Sequence, residues 1–108
     1  MEMVHVRYFL ALSRSGNFTH AAKLCGVSQP SLSNAIRSLE DELGGPLFER
    51  KPRVRLTARG RTVRPHLEAI WREFAEVEGV LRALTLEPAR NNQAGRGSSS
   101  IEWLGAGW

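Results

Sequence analysis

Residues 18–37 read FTHAAKLCGVSQPSLSNAIR, a stretch that holds two helices and the turn between them. The first helix opens near Thr19, whose hydroxyl can accept a backbone N–H of the first turn. It runs through Ala21, Ala22 and Leu24 and stops at Gly26, a residue that tolerates the left-handed conformation ending many helices. The second helix starts at once. Ser28 is placed to cap it, and Pro30 falls in its first turn, where a missing N–H costs nothing. Leu32, Ile36, Leu39 and Leu43 follow at i, i+4, i+7 and i+11, one buried stripe, until Gly44-Gly45-Pro46 closes the helix. Two helices joined across the short turn Gly26-Val27-Ser28 make a helix-turn-helix. Ala21 and Ala22 are small enough for the two helices to approach closely, and Val27 is expected in the core between them.

Upstream, residues 4–14 place Val6, Phe9, Leu10 and Leu12 near helical spacing, and Ser15-Gly16-Asn17 ends that segment. Downstream, Leu47-Phe48-Glu49-Arg50 and Val54-Arg55-Leu56-Thr57 form two short strands around Lys51-Pro52-Arg53. Val54 and Leu56 alternate with Arg53 and Arg55, the period of a half-buried strand. Thr57 can cap a further helix, in which Val63, Leu67, Ile70, Phe74, Val77, Leu81 and Leu84 step by 4-3-4-3-4-3. That is a heptad seam, widened by Trp71 and Val80 and weakened at Gly79 by about 1 kcal/mol relative to alanine. From Pro88 to Trp108 the chain is rich in Gly, Ser and Asn without a sustained period, and is expected to be a disordered tail in which Trp103, Leu104 and Trp108 are odd companions. The expected fold is mainly α. A winged helix-turn-helix covers residues 1–57, with a three-helix core, the motif at 18–37 and a two-stranded wing at 47–57; a linker and dimerisation helix follows over 58–87, then the tail at 88–108.

A chain of 108 residues supplies one domain with a modest core and little room for an enzyme cleft. Lys plus Arg number 15 against 11 Asp plus Glu, and the net charge of +4 favours an anionic partner. The excess is concentrated: from Arg50 to Arg64 stand seven basic residues, Arg50, Lys51, Arg53, Arg55, Arg59, Arg61 and Arg64, and no acidic one. The helix from Gln29 is uneven in the same sense. Opposite its apolar stripe lie Gln29, Ser33, Asn34 and Arg37, while Glu40, Asp41 and Glu42 gather at the far end. The helix dipole adds partial positive charge to the acid-free end. Gln and Asn pair bidentately with adenine, Arg with guanine, and Ser with phosphate or base edges. A polar helix face is by itself usually a solvated face, and Ser28 and Ser31 can serve as caps alone. The basic hairpin beyond the motif tips the reading toward double-stranded DNA, with Arg50, Lys51, Arg53 and Arg55 on phosphates or in the adjacent minor groove.

The run Phe18 to Arg37, followed by Leu39-Glu40, Leu43-Gly44, Leu47-Phe48-Glu49-Arg50 and Leu56-Thr57, resembles the N-terminal domain of LysR-type transcriptional regulators over about residues 1–87. The resemblance implies a bacterial transcription factor with a winged helix-turn-helix and a long linker helix that mediates dimers, often assembled as tetramers. It implies that Gln29, Pro30, Ser33 and Asn34 touch bases or the groove wall, that Thr19, Ser28, Ser31 and Arg37 lie near the DNA backbone, and that Arg50 and Arg53 fall in or beside the wing. Asn34 departs from the commoner basic residue of the family and trades a charge contact for adenine-type hydrogen bonding. Full-length members continue into a ligand-sensing domain of two α/β lobes. The chain stops before it and is expected to carry no effector site of its own.

The expected partner of the long helix is the same helix of a second subunit, through Leu67, Ile70, Phe74, Val77, Leu81 and Leu84, so that a symmetric dimer presents two reading heads. The alternative is that the stripe lies on the protein's own first helix, which suits Val63 and Leu67 better than the C-terminal half. Cys25 is the single cysteine, which excludes an intrachain disulfide and suits a reduced, cytoplasmic setting. The longest apolar run, Tyr8 to Leu12, is too short for a bilayer span or a signal peptide. His5, His20 and His66 fall on three different helices, lack zinc spacing with Cys25, and accompany no nucleophile motif or glycine-rich phosphate loop. No catalysis, metal or cofactor is expected. A pure protein-interaction module carried by the helix from Thr57 to Leu84 is the serious alternative function. A membrane-surface helix is opposed by Glu68, Glu73, Glu76 and Glu78.

Overall fold

Apolar residues at helical spacing in three successive segments need one another to be buried, and the computed structural model, which describes residues 1–90 and side chains to residue 86, shows them packed pairwise. The order is α1 (Met3–Ser15), α2 (Phe18–Cys25), α3 (Gln29–Glu42), β1 (Phe48–Glu49), β2 (Arg55–Leu56) and α4 (Ala58–Arg90). The mainly α fold with a two-stranded wing and a long final helix is the one expected. α4 continues to Arg90, three residues past the expected end at 87 and through Pro88. The remainder of the expected tail, residues 91–108, lies outside the described residues. The chain forms two compact units, residues 1–68 and a second from Ala69 onward.

In the first unit the core is made by Val6, Phe9, Leu10, Ala11 and Leu12 of α1, Ala21, Ala22 and Cys25 of α2, and Leu32, Ile36 and Leu39 of α3. The cap of α2 differs from expectation. The helix begins one residue before Thr19, so Asn17 is the cap, and its Oδ1 accepts from the His20 backbone N–H at 2.8 Å. Leu24 is exposed, and Cys25 takes the core position of the last turn. Gly26, at φ 72°, ends α2 in the left-handed region, and its N–H reaches back to the Ala22 carbonyl. Ser28 caps α3 as expected, with its Oγ accepting from the Ser31 N–H at 3.2 Å. Val27 and Leu43 are half-buried, and Leu43 is the residue at which α3 ends.

The strands are shorter than the expected four residues each. Phe48 pairs with Leu56 and Glu49 with Arg55, antiparallel, and the pairing goes no further. Leu47 and Phe48 nevertheless belong to the core, where the Phe48 ring meets Phe9 at 5.3 Å between centroids, tilted by 51°. Two groups fix this loop to the helices. Glu40, nearly buried near the end of α3, accepts from the Leu47 and Phe48 N–H groups at 2.8 and 3.2 Å. Thr57 donates its hydroxyl to the Pro46 carbonyl at 2.8 Å and accepts from the Gly60 N–H at 3.0 Å, so one side chain caps α4 and holds the loop before β1. The first turn of α4 lies so close to this loop that a Cβ on Gly60 would overlap the Leu47 carbonyl oxygen and stand 2.9 Å from Leu56 Cδ2.

The second unit is helical through the described residues. Trp71 and Ala75 are buried, Phe74 is half-buried, and the Trp71 and Phe74 rings meet at 5.3 Å. Ile70, Val77, Val80, Leu81, Leu84 and Leu86 are exposed. The heptad seam therefore divides: Leu67 is buried within the single chain, whereas Val77, Leu81 and Leu84 keep 53%, 57% and 64% of their surface in solvent.

Candidate nucleic-acid interface

α3 separates its residues cleanly by face. Leu32, Ile36 and Leu39 are fully buried at 0% exposure, and the opposite side presents Gln29, Asn34 and Arg37 to solvent with Ser33 half-buried between them. Ser28, Pro30 and Ser31 are exposed at the start of the helix, and Thr19 is exposed on α2. The Ser28 hydroxyl also donates to Ser31 Oγ at 2.9 Å, so both serines are engaged in the cap while remaining open to solvent. The first turn of α3 carries no acidic residue, so no carboxylate offsets the partial positive charge of the helix end, although Pro30 has no N–H and the Ser31 and Leu32 N–H groups are already held by Ser28. Of the three acids at the other end, Asp41 is exposed. Glu40 is buried under the loop, and Glu42 accepts from the Met1 amino group at 2.8 Å, which raises the pKa of that amine through the hydrogen bond and the charge of Glu42.

The basic run, read as one group in the sequence, splits by what each side chain touches. Arg50 is half-buried and donates to Glu40 and to the Phe48 carbonyl. Arg55 pairs with Glu49 across the strands at 2.9 Å. Arg59 donates to the Leu43 carbonyl at 2.9 Å, where it satisfies the end of α3, and Arg61 donates to the Leu56 carbonyl at 3.1 Å. Arg64 pairs with Glu68 one turn along α4. Lys51 and Arg53 flank Pro52, which follows a cis peptide bond, at the exposed tip of the wing. They alone of the seven have no hydrogen-bond or ion-pair partner among the described residues, and their charges are free to meet an anion.

The exposed flank of α3, the wing tip and the Thr57 cap are legible in the sequence, whereas the joint that supports them is not: Glu40, Arg59, Gly60 and the second bond of Thr57, to the Pro46 carbonyl. A helix-end glutamate, a glycine and a basic residue carry no periodic signal. In the pairs Leu39-Glu40 and Leu56-Thr57, a fully buried and a half-buried leucine respectively stand beside a polar anchor of the loop. Burial pushes the Cys25 thiol up, against an opposing pull from the Arg7 charge, so the lone cysteine is a core residue held in its neutral form. No group of three His, Cys, Asp or Glu among the described residues is arranged to hold a metal ion. No described helix is long and apolar enough to cross a membrane.

Residues 3–61 match the model of the bacterial regulatory helix-turn-helix proteins of the lysR family. The chain is 42% identical over 103 residues to the transcriptional regulator BudR of Klebsiella aerogenes, covering 94% of this chain and 66% of BudR. It is 36% identical over 108 residues to the transcriptional regulator CatR of Pseudomonas putida, of which it spans 33%. Among solved structures, the BenM DBD/benA site 1 DNA complex superposes with a TM-score of 0.72 at 32% identity, covering 79% of this chain and 97% of that one. The CbnR DBD–DNA complex gives 0.71 at 34% identity, with 79% and 99% covered. With that family model matched over more than half of its length, the chain belongs to the LysR family of bacterial helix-turn-helix regulatory proteins.

Proposed function

We propose that the chain is the DNA-reading part of a transcription regulator, which binds double-stranded DNA as a homodimer. The N-terminal half of α3 enters the major groove. Gln29, Pro30, Ser33 and Asn34 meet base edges or the groove wall, and Thr19, Ser28, Ser31 and Arg37 meet the sugar–phosphate backbone. Lys51, Arg53 and Arg55 of the wing lie on phosphates or in the neighbouring minor groove. The observation that carries this reading is the division of α3 into a fully buried apolar face and an exposed, acid-free amide and hydroxyl face, within the same compact unit as the two unpartnered cations of the wing. The names of BudR and CatR and the DNA in the BenM and CbnR complexes agree with it. The chain acts by binding and not by catalysis, and it works in the bacterial cytoplasm.

The test is selection of bound duplexes from a random oligonucleotide pool, followed by affinity measurements at two salt concentrations. Binding weakens steeply as salt rises, because each phosphate contact releases counterions. Arg53→Ala lowers affinity for every sequence and reduces the salt slope by about one. A chain that dimerises but binds no duplex at low salt is a protein-interaction module, the function that the exposed apolar face of α4 would serve alone.

A further inference from the structure

The wing is too small to hold itself. β1 and β2 pair over two residues each, far fewer than a free-standing hairpin needs. Its internal ion pair, Arg55 with Glu49, is exposed on both sides and adds little. Thr57 fixes the far end of the hairpin through its backbone N–H to the Leu47 carbonyl at 2.9 Å. The near end falls to Arg50, the residue between β1 and the tip Lys51-Pro52-Arg53. Arg50 Nη2 donates to Glu40 Oε1 at 3.3 Å, and Nη1 donates to Glu40 Oε2 at 3.4 Å and to the Phe48 carbonyl at 3.1 Å. Its guanidinium carbon also stands 5.4 Å from the centroid of the Phe18 ring, at the first residue of α2. One side chain thus touches α2, α3 and β1.

We infer that Arg50 is a positioning residue: it sets where the wing tip stands relative to α3, and it acts on DNA through Arg53 instead of through a phosphate contact of its own. The inference rests on the proposed function. Its support is the state of Glu40. That carboxylate is nearly buried and already holds the Leu47 and Phe48 N–H groups, so drawing Arg50 away to a phosphate would strand a buried charge without its cation. A guanidinium fork can grip both carboxylate oxygens and a carbonyl together, which a lysine ammonium cannot reproduce.

The experiment is a double-mutant cycle on a selected duplex, with Arg50→Lys, Arg50→Met and Glu40→Gln each made alone and in the Arg53→Ala background, all at a temperature where circular dichroism shows a folded chain. With Arg53 present, each of the three weakens binding about tenfold; in the Arg53→Ala background the loss falls below about twofold, because a misplaced tip has nothing left to lose. A direct phosphate contact gives the opposite pattern. Arg50→Lys then keeps most of the affinity, and Arg50→Met loses the same factor in both backgrounds; either result overturns the positioning role. Should Arg50→Met fail to fold, the charge-conserving Arg50→Lys and Glu40→Gln decide the matter. A wild-type chain with no salt-dependent affinity for any duplex overturns the proposed function and this role with it, whereas salt-dependent binding with independent effects overturns this role alone.

Discussion

Gln29 and Asn34 are the two amide side chains on the exposed flank of α3, and each can satisfy an adenine edge with a donor and an acceptor at once. If they read bases, their removal is a local event. Gln29→Ala or Asn34→Ala costs about 1–3 kcal/mol on the preferred site and relaxes the preference at one base pair, while affinity for random DNA stays near that of the wild type. Competition binding with single-base-pair variants of the selected duplex checks this, and an equal loss on random DNA removes direct readout from that residue. Both side chains were legible from the sequence, because the apolar stripe at Leu32, Ile36 and Leu39 fixes by elimination what faces out. Glu40 was not. It stands among acids at a helix end, and its role depends on two N–H groups that return beneath it seven and eight residues later. No local pattern announces such a return. The Asn17 cap escaped for a milder reason: Asn17 and Thr19 are both good caps, and the choice depends on where α1 delivers the chain.

At the scale of elements, the contact between the first turn of α4 and the loop before β1 is the tightest joint described. Alanine is normally the better residue inside a helix by about 1 kcal/mol. At Gly60 the sign reverses, because the Cβ would meet the Leu47 carbonyl, a backbone atom that can move only if the wing moves. Gly60→Ala is expected to destabilise the chain by about 1–3 kcal/mol, read as a lower midpoint in thermal or urea unfolding. An unchanged midpoint would show that the loop gives way freely. The helices themselves were readable from spacing and caps, as was the existence of the wing. Its length was not, because the alternation over Arg53–Leu56 says which residues face in and says nothing of how many backbone bonds close. The seven cations were legible as a run but not as two groups, since five of them have partners that lie on other segments or were not counted against them, such as Leu43 for Arg59.

For the molecule as a whole, α4 leaves Val77, Leu81 and Leu84 in water at spacings of four and three residues. If a second copy covers them, as a symmetric dimer requires, a charge placed there separates the subunits without disturbing the single chain. Leu81→Glu is expected to sediment as a monomer at concentrations where the wild type is a dimer, with unchanged helix content. A dimer that survives the substitution places the interface elsewhere. Leu67 is the wrong position for this test because it is already buried in the monomer, and Phe74 is compromised by its contact with Trp71. Charge is laid unevenly along α3, with no acidic side chain where it starts and Asp41 and Glu42 exposed where it finishes. A helix of this kind is expected to meet a groove lined with anions with its first turn leading. In a symmetric dimer both copies of α3 then lead with the same end, and the two halves of the bound duplex are expected to be related by a two-fold axis.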